Sequence, residues 1–564
     1  MNTIEPPDVF FIQDTSRHGT CCAAIIAGNI VPADFFNLKH GRARGGVTGS
    51  RIASYKVGTT DSDLDFGYAT SKAISTATED GVDILSISGS IRIIDEQTDK
   101  KRRPHSYMED QISIGTVYPT LKGILCCLSA GNIGGIGSVG NGAPWALCVG
   151  ACNSKTTFST KVNLGGRRLP VKGFSINTFE RTGLCPPILA INGKIHRSGP
   201  LDPKKVAGKI VVHKTVTNGR DAKVARAKGI IIIDSCDSRS FYEVFPLPAA
   251  KVTKKDVERI LNYMKELSES AKAEILTSEQ AVNKKNEFPV LSSHSSKGPS
   301  RYTEHFIVPY VCAPGDELLS ESPETVSASK LDCDDRRSRY TIISDTSFAT
   351  AVVSSVAAYV KSVHKSWSAA AIKSASMTTG TQPILEKNAN DVYGIGNGMI
   401  NPIGAADPGL VYDIDRIHYA RLLLGLEDFE GEKAIQAFFD RDEIISVGES
   451  IPPWDFNLPS LGISIPNTQS TCVFNRTVKN VGKGGLPVTY TAEVSVPESP
   501  QVTVTPKKLI FKEYNEEKTL KVKVVVTDWR QAKANAFSGV LAWKSLRRNY
   551  RVRSQILIKI RKDD

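Results

Sequence analysis

Two patterns of apolar positions divide the chain. Over about the first 155 residues, near-continuous apolar runs alternate with stretches of helical periodicity. We predict strands at 51–57, 82–88 and 123–129, and a helix over 69–80 that ends at Gly81. Apolar strands separated by helices are typical of a parallel sheet that is covered on both faces. This part is therefore expected to be an α/β domain with functional residues at the carboxyl ends of its strands.

The pattern changes near residue 159 and returns near residue 287. Residues 159–286 contain predicted strands, among them 206–213, and an amphipathic helix at 256–271. The α/β pattern then resumes and runs to residue 425. We interpret 159–286 as a self-contained insert within one α/β domain.

The last part of the chain is predicted to be all β. Residues 426–455 are charged and carry few strand signals, which indicates a connector. Beyond it, apolar and polar positions alternate in predicted strands at 488–494, 501–504, 520–524 and 552–558. Short alternating strands separated by turns favour a β-sandwich over 456–564.

Composition and charge exclude several classes of protein. A chain of 564 residues with 40% hydrophobic and 23% charged residues is globular, with room for three or four domains of about 100–200 residues. No apolar run reaches the roughly 18 residues that a membrane span needs, so no membrane partner is expected. The net charge of +12 is spread thinly along the chain. Nucleic acid is therefore not predicted as a partner.

Cysteine and carboxylate spacing indicates no metal or redox site. The eleven Cys include no C-x-x-C pair, and the adjacent pairs at 21–22 and 126–127 lie in apolar stretches typical of buried thiols. No acidic cluster has the spacing of a calcium loop, so neither a metal nor a cofactor is predicted. Asn475 begins an N-glycosylation sequon, which requires that the chain be secreted.

Three short segments carry candidate chemistry. His18 begins a predicted helix and can project its ring into a cleft, although a His there is also commonly structural. Asn132 follows a predicted strand among glycines, where its amide can donate to an oxyanion or simply occupy a turn. Ser347 starts a long predicted helix, either as a nucleophile or as a helix-capping residue.

Together these three residues give a more specific pattern. The order His18, Asn132, Ser347 supplies a general base, an oxyanion donor and a nucleophile. The surrounding motifs are Arg17-His18-Gly19-Thr20, Ser129-Ala130-Gly131-Asn132 and Thr346-Ser347-Phe348-Ala349. On these motifs the chain resembles the plant subtilisin-like serine proteases of the cucumisin type.

The resemblance extends along nearly the whole chain. Further matching segments include Ser295-Ser296-Lys297-Gly298-Pro299, Ala313-Pro314-Gly315 and Asp407-Pro408-Gly409-Leu410-Val411-Tyr412-Asp413. The resemblance implies a subtilisin-like catalytic domain at 1–158 and 287–425, interrupted by a protease-associated insert at 159–286. After the connector at 426–455, it implies a fibronectin type III-like β-sandwich at 456–564.

The resemblance also implies a function. Ser347 would attack a peptide carbonyl, His18 would carry the proton, and Asn132 would stabilise the oxyanion. A peptide or protein substrate would lie as an added strand beside residues of two neighbouring strand ends. These substrate-binding residues are Ser86, Ile87, Ser88, Gly89 and Gly131. The implied protein is a secreted, apoplastic serine endopeptidase that needs no cofactor.

Some positions depart from the family pattern. The family's catalytic Asp lies in an Asp-Thr/Ser-Gly turn well before the His; Asp8 does not match that turn, and Asp14 matches a structural Asp of the histidine motif. We therefore expect the triad Asp, the signal peptide and the propeptide to be missing from this sequence.

Two further departures flank the candidate catalytic residues. Arg17 replaces a glycine beside His18, and a neighbouring cation is expected to disfavour the imidazolium. Asp345 replaces a glycine two residues before Ser347, which is expected to place a carboxylate near developing negative charge. The alternative function is accordingly a catalytically inactive subtilase homologue or fragment that acts by binding peptides or proteins.

Overall fold

The chain folds into two compact units. The computed structural model describes residues 13–58, 63–90, 93–95, 100–102, 106–153, 156–165, 170–190, 201–213, 217–233, 244–282, 289–381, 392–426, 435–466, 471–497, 499–529, 536–545 and 549–561. The first unit comprises Met1–Gly45, Ser154–Phe288 and Asp316–Ser344. The second comprises Gly46–Asn153, Pro289–Gly315 and Asp345–Asp564.

A four-stranded parallel sheet forms the centre of the second unit. Its strands, in order across the sheet, are Val311–Pro314, Leu147–Cys152, Leu125–Ser129 and Ile84–Ile87. The two inner strands are buried at every position, as expected where both faces of a sheet are covered. The strands predicted at 82–88 and 123–129 are confirmed, each beginning two residues later than predicted.

One predicted strand is wrong. Residues 51–57 form no strand, and most of their side chains are exposed. A strand is stabilised by backbone hydrogen bonds to a neighbour, and among the described residues the sheet ends at Ile84–Ile87. The apolar residues at 51–57 are compatible with a strand, but a strand forms only where a partner strand is available. The position of that partner depends on residues far away in the sequence.

A helix that starts beside Ser347 packs on this sheet. This Ser347 helix spans Thr346–Val363 and buries the small residues Ala349, Val353 and Ala357 completely. Small side chains let a helix approach the strands closely while still filling the space between them. The other helical segments of this unit are Asp63–Glu79, Gln111–Gly115, Val117–Leu121, Ala369–Thr378, Val392–Ile395, Pro402–Ala406, Arg416–Leu424, Arg441–Val447 and the 3₁₀ turn Pro453–Asp455.

The predicted helix over 69–80 is confirmed as Asp63–Glu79, followed by Gly81 with a φ of 73°. The predicted connector at 426–455 carries no described strand and contains the helix Arg441–Val447. None of the helices described is long and apolar enough to cross a lipid bilayer.

The C-terminal part of the second unit is a two-sheet β structure. One sheet has the order Leu410–Val411, Thr471–Asn480, Glu517–Val525, Gln501–Thr505. The other has the order Leu461–Pro466, Tyr550–Arg561, Ala536–Ser545, Val488–Ser495, Lys508–Phe511. Alternate side chains point inward, and the large residues Phe474, Tyr490, Phe511 and Trp543 are fully buried in one cluster. All four strands predicted from the alternating pattern are confirmed.

The first unit is built on a mixed sheet. Its order is Pro187–Leu189, Ile210–His213, Gly229–Ile233, Ala249–Val252, Val171–Phe174, Thr156–Leu164, Ala273–Ile275, and Glu279–Val282 also pairs with Thr156–Leu164. The first four strands of that order are parallel, and the remaining pairings are antiparallel. Its helices are Pro203–Val206, Arg220–Val224 and Lys254–Leu267, followed by the 3₁₀ turn Ser268–Ser270.

Two hairpins and one helix complete the first unit. The hairpins pair Val31–Phe35 with Lys39–Ala43 and Leu318–Glu321 with Tyr340–Ile343. The helix His18–Ala27 packs on the second hairpin. Hence His18 begins a helix, as predicted.

Candidate active site

Ser347 lies at the second position of its helix, close to the end of a parallel strand. Its side chain is buried, with 5% of the residue exposed. The hydroxyl donates a long hydrogen bond of 3.4 Å to the backbone oxygen of Ser88. In return, the Ser88 hydroxyl donates to the backbone oxygen of Ser347 at 3.0 Å. Since Ser88 follows the strand Ile84–Ile87, the candidate nucleophile lies at the carboxyl end of the sheet.

Asn132 contacts the residue before Ser347. Its Oδ1 accepts hydrogen bonds from the backbone N–H of Thr346 at 3.0 Å and from the Thr346 hydroxyl at 2.9 Å. A backbone N–H only donates, so the atom that faces it must be the amide oxygen and not the amino group. The orientation of the Asn132 amide is thereby fixed, and its Nδ2 remains a donor for another partner.

The loop that carries Asn132 is held by Ser296. The Ser296 N–H donates to the backbone oxygen of Gly131 at 2.9 Å, and the Ser296 hydroxyl accepts from the N–H of Ile133 at 3.1 Å. Gly131 has a φ of 102°, in the region that favours glycine, and a Cβ there would lie 3.1 Å from the Ser296 hydroxyl. Ser296 therefore anchors the backbone on both sides of Asn132.

The remaining predicted substrate-binding residues, Ser86, Ile87 and Gly89, lie in or shortly after the strand Ile84–Ile87. Asn141 donates through its Nδ2 to the backbone oxygens of Gly89 at 2.8 Å and of Ser129 at 2.7 Å, which ties together two neighbouring strand ends. Ser86 accepts a hydrogen bond from Ser354 of the Ser347 helix at 2.9 Å. Ile87 is the last residue of its strand and is half-buried.

Asp345 caps the Ser347 helix. Its Oδ1 accepts a hydrogen bond of 2.7 Å from the backbone N–H of Ser347. Its own N–H donates to the backbone oxygen of Gly315 at 2.9 Å, beside the strand Val311–Pro314. The carboxylate predicted near the nucleophile is thus bonded directly to the backbone of that residue.

His18 belongs to the first unit, on the helix His18–Ala27. Asp14 organises the turn before it: the carboxylate accepts hydrogen bonds from the N–H and hydroxyl groups of both Ser16 and Thr20 at 2.8–3.0 Å. Partial burial raises the pKa of Asp14, but these bonds outweigh it and hold the pKa below the usual value. This agrees with a structural role for Asp14. Asp8 lies outside the described residues.

Arg17 adopts a left-handed backbone conformation, with a φ of 64°. Its guanidinium is buried and donates to the backbone oxygens of Ser327 and Ala328 and to the hydroxyl of Thr341, the last at 3.0 Å. The conformation is one that favours glycine, and these hydrogen bonds hold the arginine in it.

Sequence reasoning missed two supporting residues of this site. Asn141 has a local signal, a Gly-Asn-Gly stretch at 140–142, but its two acceptors lie 12 and 52 residues away. Ser296 lies in a segment that matches the family pattern but carries no local signal for this role. Elsewhere, the sequon residue Asn475 is exposed on a strand and donates through Nδ2 to Asp455 at 2.7 Å. No group of residues suited to a metal ion occurs in the parts that the structure describes.

The chain was also compared with known protein families, curated proteins and solved structures. Residues 5–396 match the model of the Subtilase family, and residues 455–558 match that of a fibronectin type-III domain. Subtilisin-like protease SBT4.3 of Arabidopsis thaliana is 35% identical, over 97% of this chain and 73% of the relative. Subtilisin-like protease SBT4.14 of the same plant is 33% identical, over 97% and 72%. A solved subtilisin-like protease, Apa1 from Pseudoalteromonas sp. AS-11, aligns at 16% identity over 70% of this chain and 84% of that chain, with a TM-score of 0.31.

Proposed function

Because the chain belongs to the subtilase family, we propose that it is a serine endopeptidase that cleaves peptide bonds through an acyl-enzyme on Ser347. The Ser347 hydroxyl attacks the substrate carbonyl, and His18 accepts the proton and returns it to the leaving amine. Asn132 donates from Nδ2 to the oxygen that becomes negative. Each of these three roles is taken over from the family motif at its position in this chain.

One observation carries the proposal. The hydrogen bonds from Thr346 to Oδ1 of Asn132 fix this amide beside the candidate nucleophile. An amide whose orientation is set before reaction stabilises an oxyanion at no reorganisation cost.

We propose that the substrate is an extended peptide. It would run as an added strand beside Ser86–Gly89 and the segment around Gly131, as the family resemblance implies. By family, we also propose that the chain acts outside the cell, where the exposed sequon at Asn475 can be glycosylated. The protease-associated character of residues 159–286 remains a prediction on the same basis.

A second function is favoured by one specific observation. The N–H of Ser347 is already bonded to the carboxylate of Asp345. A nucleophile whose own N–H is bonded to a carboxylate is poorly arranged to stabilise the oxyanion that develops on the substrate carbonyl. This favours a subtilase homologue that binds peptides or proteins without cleaving them.

Labelling with a fluorophosphonate probe separates the two functions, because the probe phosphonylates an activated serine hydroxyl. We expect the folded chain to be labelled at Ser347, as located by peptide mapping. Ser347→Ala should abolish the label, whereas Ser362→Ala, at an exposed serine of the same helix, should not change it. A folded chain without label at Ser347 would exclude the endopeptidase function and leave the binding function.

A further inference from the structure

The backbone N–H groups at the start of the Ser347 helix all have acceptors within the chain. The N–H of Thr346 donates to Asn132, and that of Ser347 to the carboxylate of Asp345. The N–H of Phe348 donates to the backbone oxygen of Asp345 at 3.2 Å. These first-turn groups have no acceptor inside a helix, and they are the ones that can stabilise an anion next to Ser347.

Asp345 holds its position firmly. Its backbone is extended, with φ −174° and ψ 155°, and its N–H is bonded to Gly315. A Cβ added at Gly315 would lie 2.9 Å from the backbone oxygen of Asp345, so the two backbones are in close contact. The carboxylate is therefore positioned by the sheet as well as by the helix it caps.

We propose that Asp345 limits the reactivity of Ser347 by competing with the reaction's oxyanion for the Ser347 N–H. This inference rests on the proposed function, since it concerns the same nucleophile. Asp345 is a positioning residue: it acts on the reaction through the N–H of Ser347 and does not touch the reacting carbonyl.

The competition follows from the chemistry of the attack. The bond from Oγ of Ser347 to the carbonyl carbon forms while the π electrons of the carbonyl move onto its oxygen, and the hydroxyl proton passes to the base. The new negative oxygen needs donors, and Asn132 is one. The Ser347 N–H can serve as a second donor only after its hydrogen bond to the Asp345 carboxylate breaks. While the carboxylate stays in place, its negative charge repels the oxyanion.

Helix capping alone does not explain why the carboxylate of Asp345 is bonded to the candidate nucleophile. Asp415 and Asp440 also cap helices through their carboxylates, but the N–H groups they accept belong to His418 and Glu443, which have no proposed role in the reaction. At Asp345 the capped group is the backbone of the candidate nucleophile itself. The same bond that stabilises the helix thus occupies a donor that the reaction needs.

The test compares the rate of fluorophosphonate labelling of Ser347 in the full chain and in two variants. Asp345→Gly frees the Ser347 N–H, and removing or supplying one oxyanion donor changes such rates by about 10²–10³-fold. We expect Asp345→Gly to label about 10²-fold faster or more. Asp345→Asn keeps an oxygen on the N–H but removes the charge, and it should label at least about tenfold faster than the unchanged chain.

Controls separate this effect from helix stability. Asp440→Gly removes an equivalent cap from the helix Arg441–Val447 and should leave the labelling rate unchanged. Both glycine variants should lower the melting temperature, so an increase in rate together with a decrease in melting temperature is specific to Asp345. If Asp345→Gly does not fold, the rate of fluorophosphonate labelling of Asp345→Asn tests the proposal instead.

The outcomes distinguish the two proposals. Labelling of the unchanged chain with no acceleration in either Asp345 variant overturns only the role of Asp345. Labelling of the variants alone supports that role and shows that the unchanged chain is held inactive. No labelling in any of the folded proteins overturns both proposals.

Discussion

A buried carboxyl in the first unit predicts how stability changes with pH. Glu317 is 2% exposed; its Oε1 accepts from the N–H of Phe158 at 3.1 Å, and its Oε2 has no hydrogen-bond partner in the described structure. Burial raises the pKa of Glu317 to about 8. The Phe158 N–H lowers the pKa, neighbouring Asp316 raises it, and Lys39 lowers it. The carboxyl is thus protonated in the folded chain at neutral pH.

The sign of the effect follows from proton linkage. Between pH 4.5, the ordinary value, and about 8, the folded chain keeps this proton while the unfolded chain has lost it. This proton's stabilisation of the folded chain is complete below pH 4.5 and is lost as the pH rises towards 8. The pKa difference corresponds to roughly 5 kcal/mol of unfolding free energy at about 1.4 kcal/mol per pKa unit.

Replacing the carboxyl by a neutral amide tests this prediction. Thermal melts of Glu317→Gln and the unchanged chain are compared from pH 5 to pH 8.5. We expect similar melting temperatures at pH 5, and a higher one for Glu317→Gln at pH 8.5, because the amide has no charge to bury. Glu279→Gln, at an exposed carboxylate paired with Lys161, should follow the unchanged chain. Parallel curves for Glu317→Gln and the unchanged chain at all pH values would refute the reasoning.

Three further substitutions have expected outcomes. Asn132→Ala should slow fluorophosphonate labelling of Ser347 by about 10²–10³-fold, because an oxyanion donor is lost, and should lower the melting temperature, because the N–H and hydroxyl of the buried Thr346 lose their acceptor; an unchanged rate would contradict its role. Asn141→Ala should destabilise the second unit by about 2 kcal/mol in chemical denaturation, because the backbone oxygens of Gly89 and Ser129 lose a buried donor. Arg17→Gly should lower the melting temperature of the first unit, since losing three hydrogen bonds to Ser327, Ala328 and Thr341 outweighs the relief of about 1–2 kcal/mol of backbone strain. A higher melting temperature for Arg17→Gly would show that strain dominates.

Elements with a strong local pattern were predictable from the sequence. The strands of the C-terminal sandwich alternate apolar and polar residues, and the inner strands of the parallel sheet are apolar throughout. In both cases the pattern reports how many faces of the strand are covered. The segment 51–57 shows the limit, because its composition favours a strand but no partner strand pairs with it in the described structure.

The residues of the candidate site could be predicted from the sequence, but the hydrogen bonds between them could not. The order of the motifs pointed to Ser347 and Asn132, which the structure links through Thr346, 214 residues from Asn132 in the sequence. Hydrogen bonds between distant segments depend on the packing of the sheet and leave no local pattern. Asp345 is a similar case. The sequence predicted a carboxylate near Ser347, but it did not predict the hydrogen bond from the Ser347 N–H to that carboxylate.

The measurement that tests the central claim most directly is the capture of an acyl-enzyme on Ser347. The folded chain is mixed with an activated ester such as p-nitrophenyl acetate, quenched in acid and digested for peptide mass spectrometry. The account predicts an acetyl group on the peptide that contains Ser347, absent in Ser347→Ala and more abundant in Asp345→Gly. An unmodified Ser347 in all of these folded proteins would contradict the account.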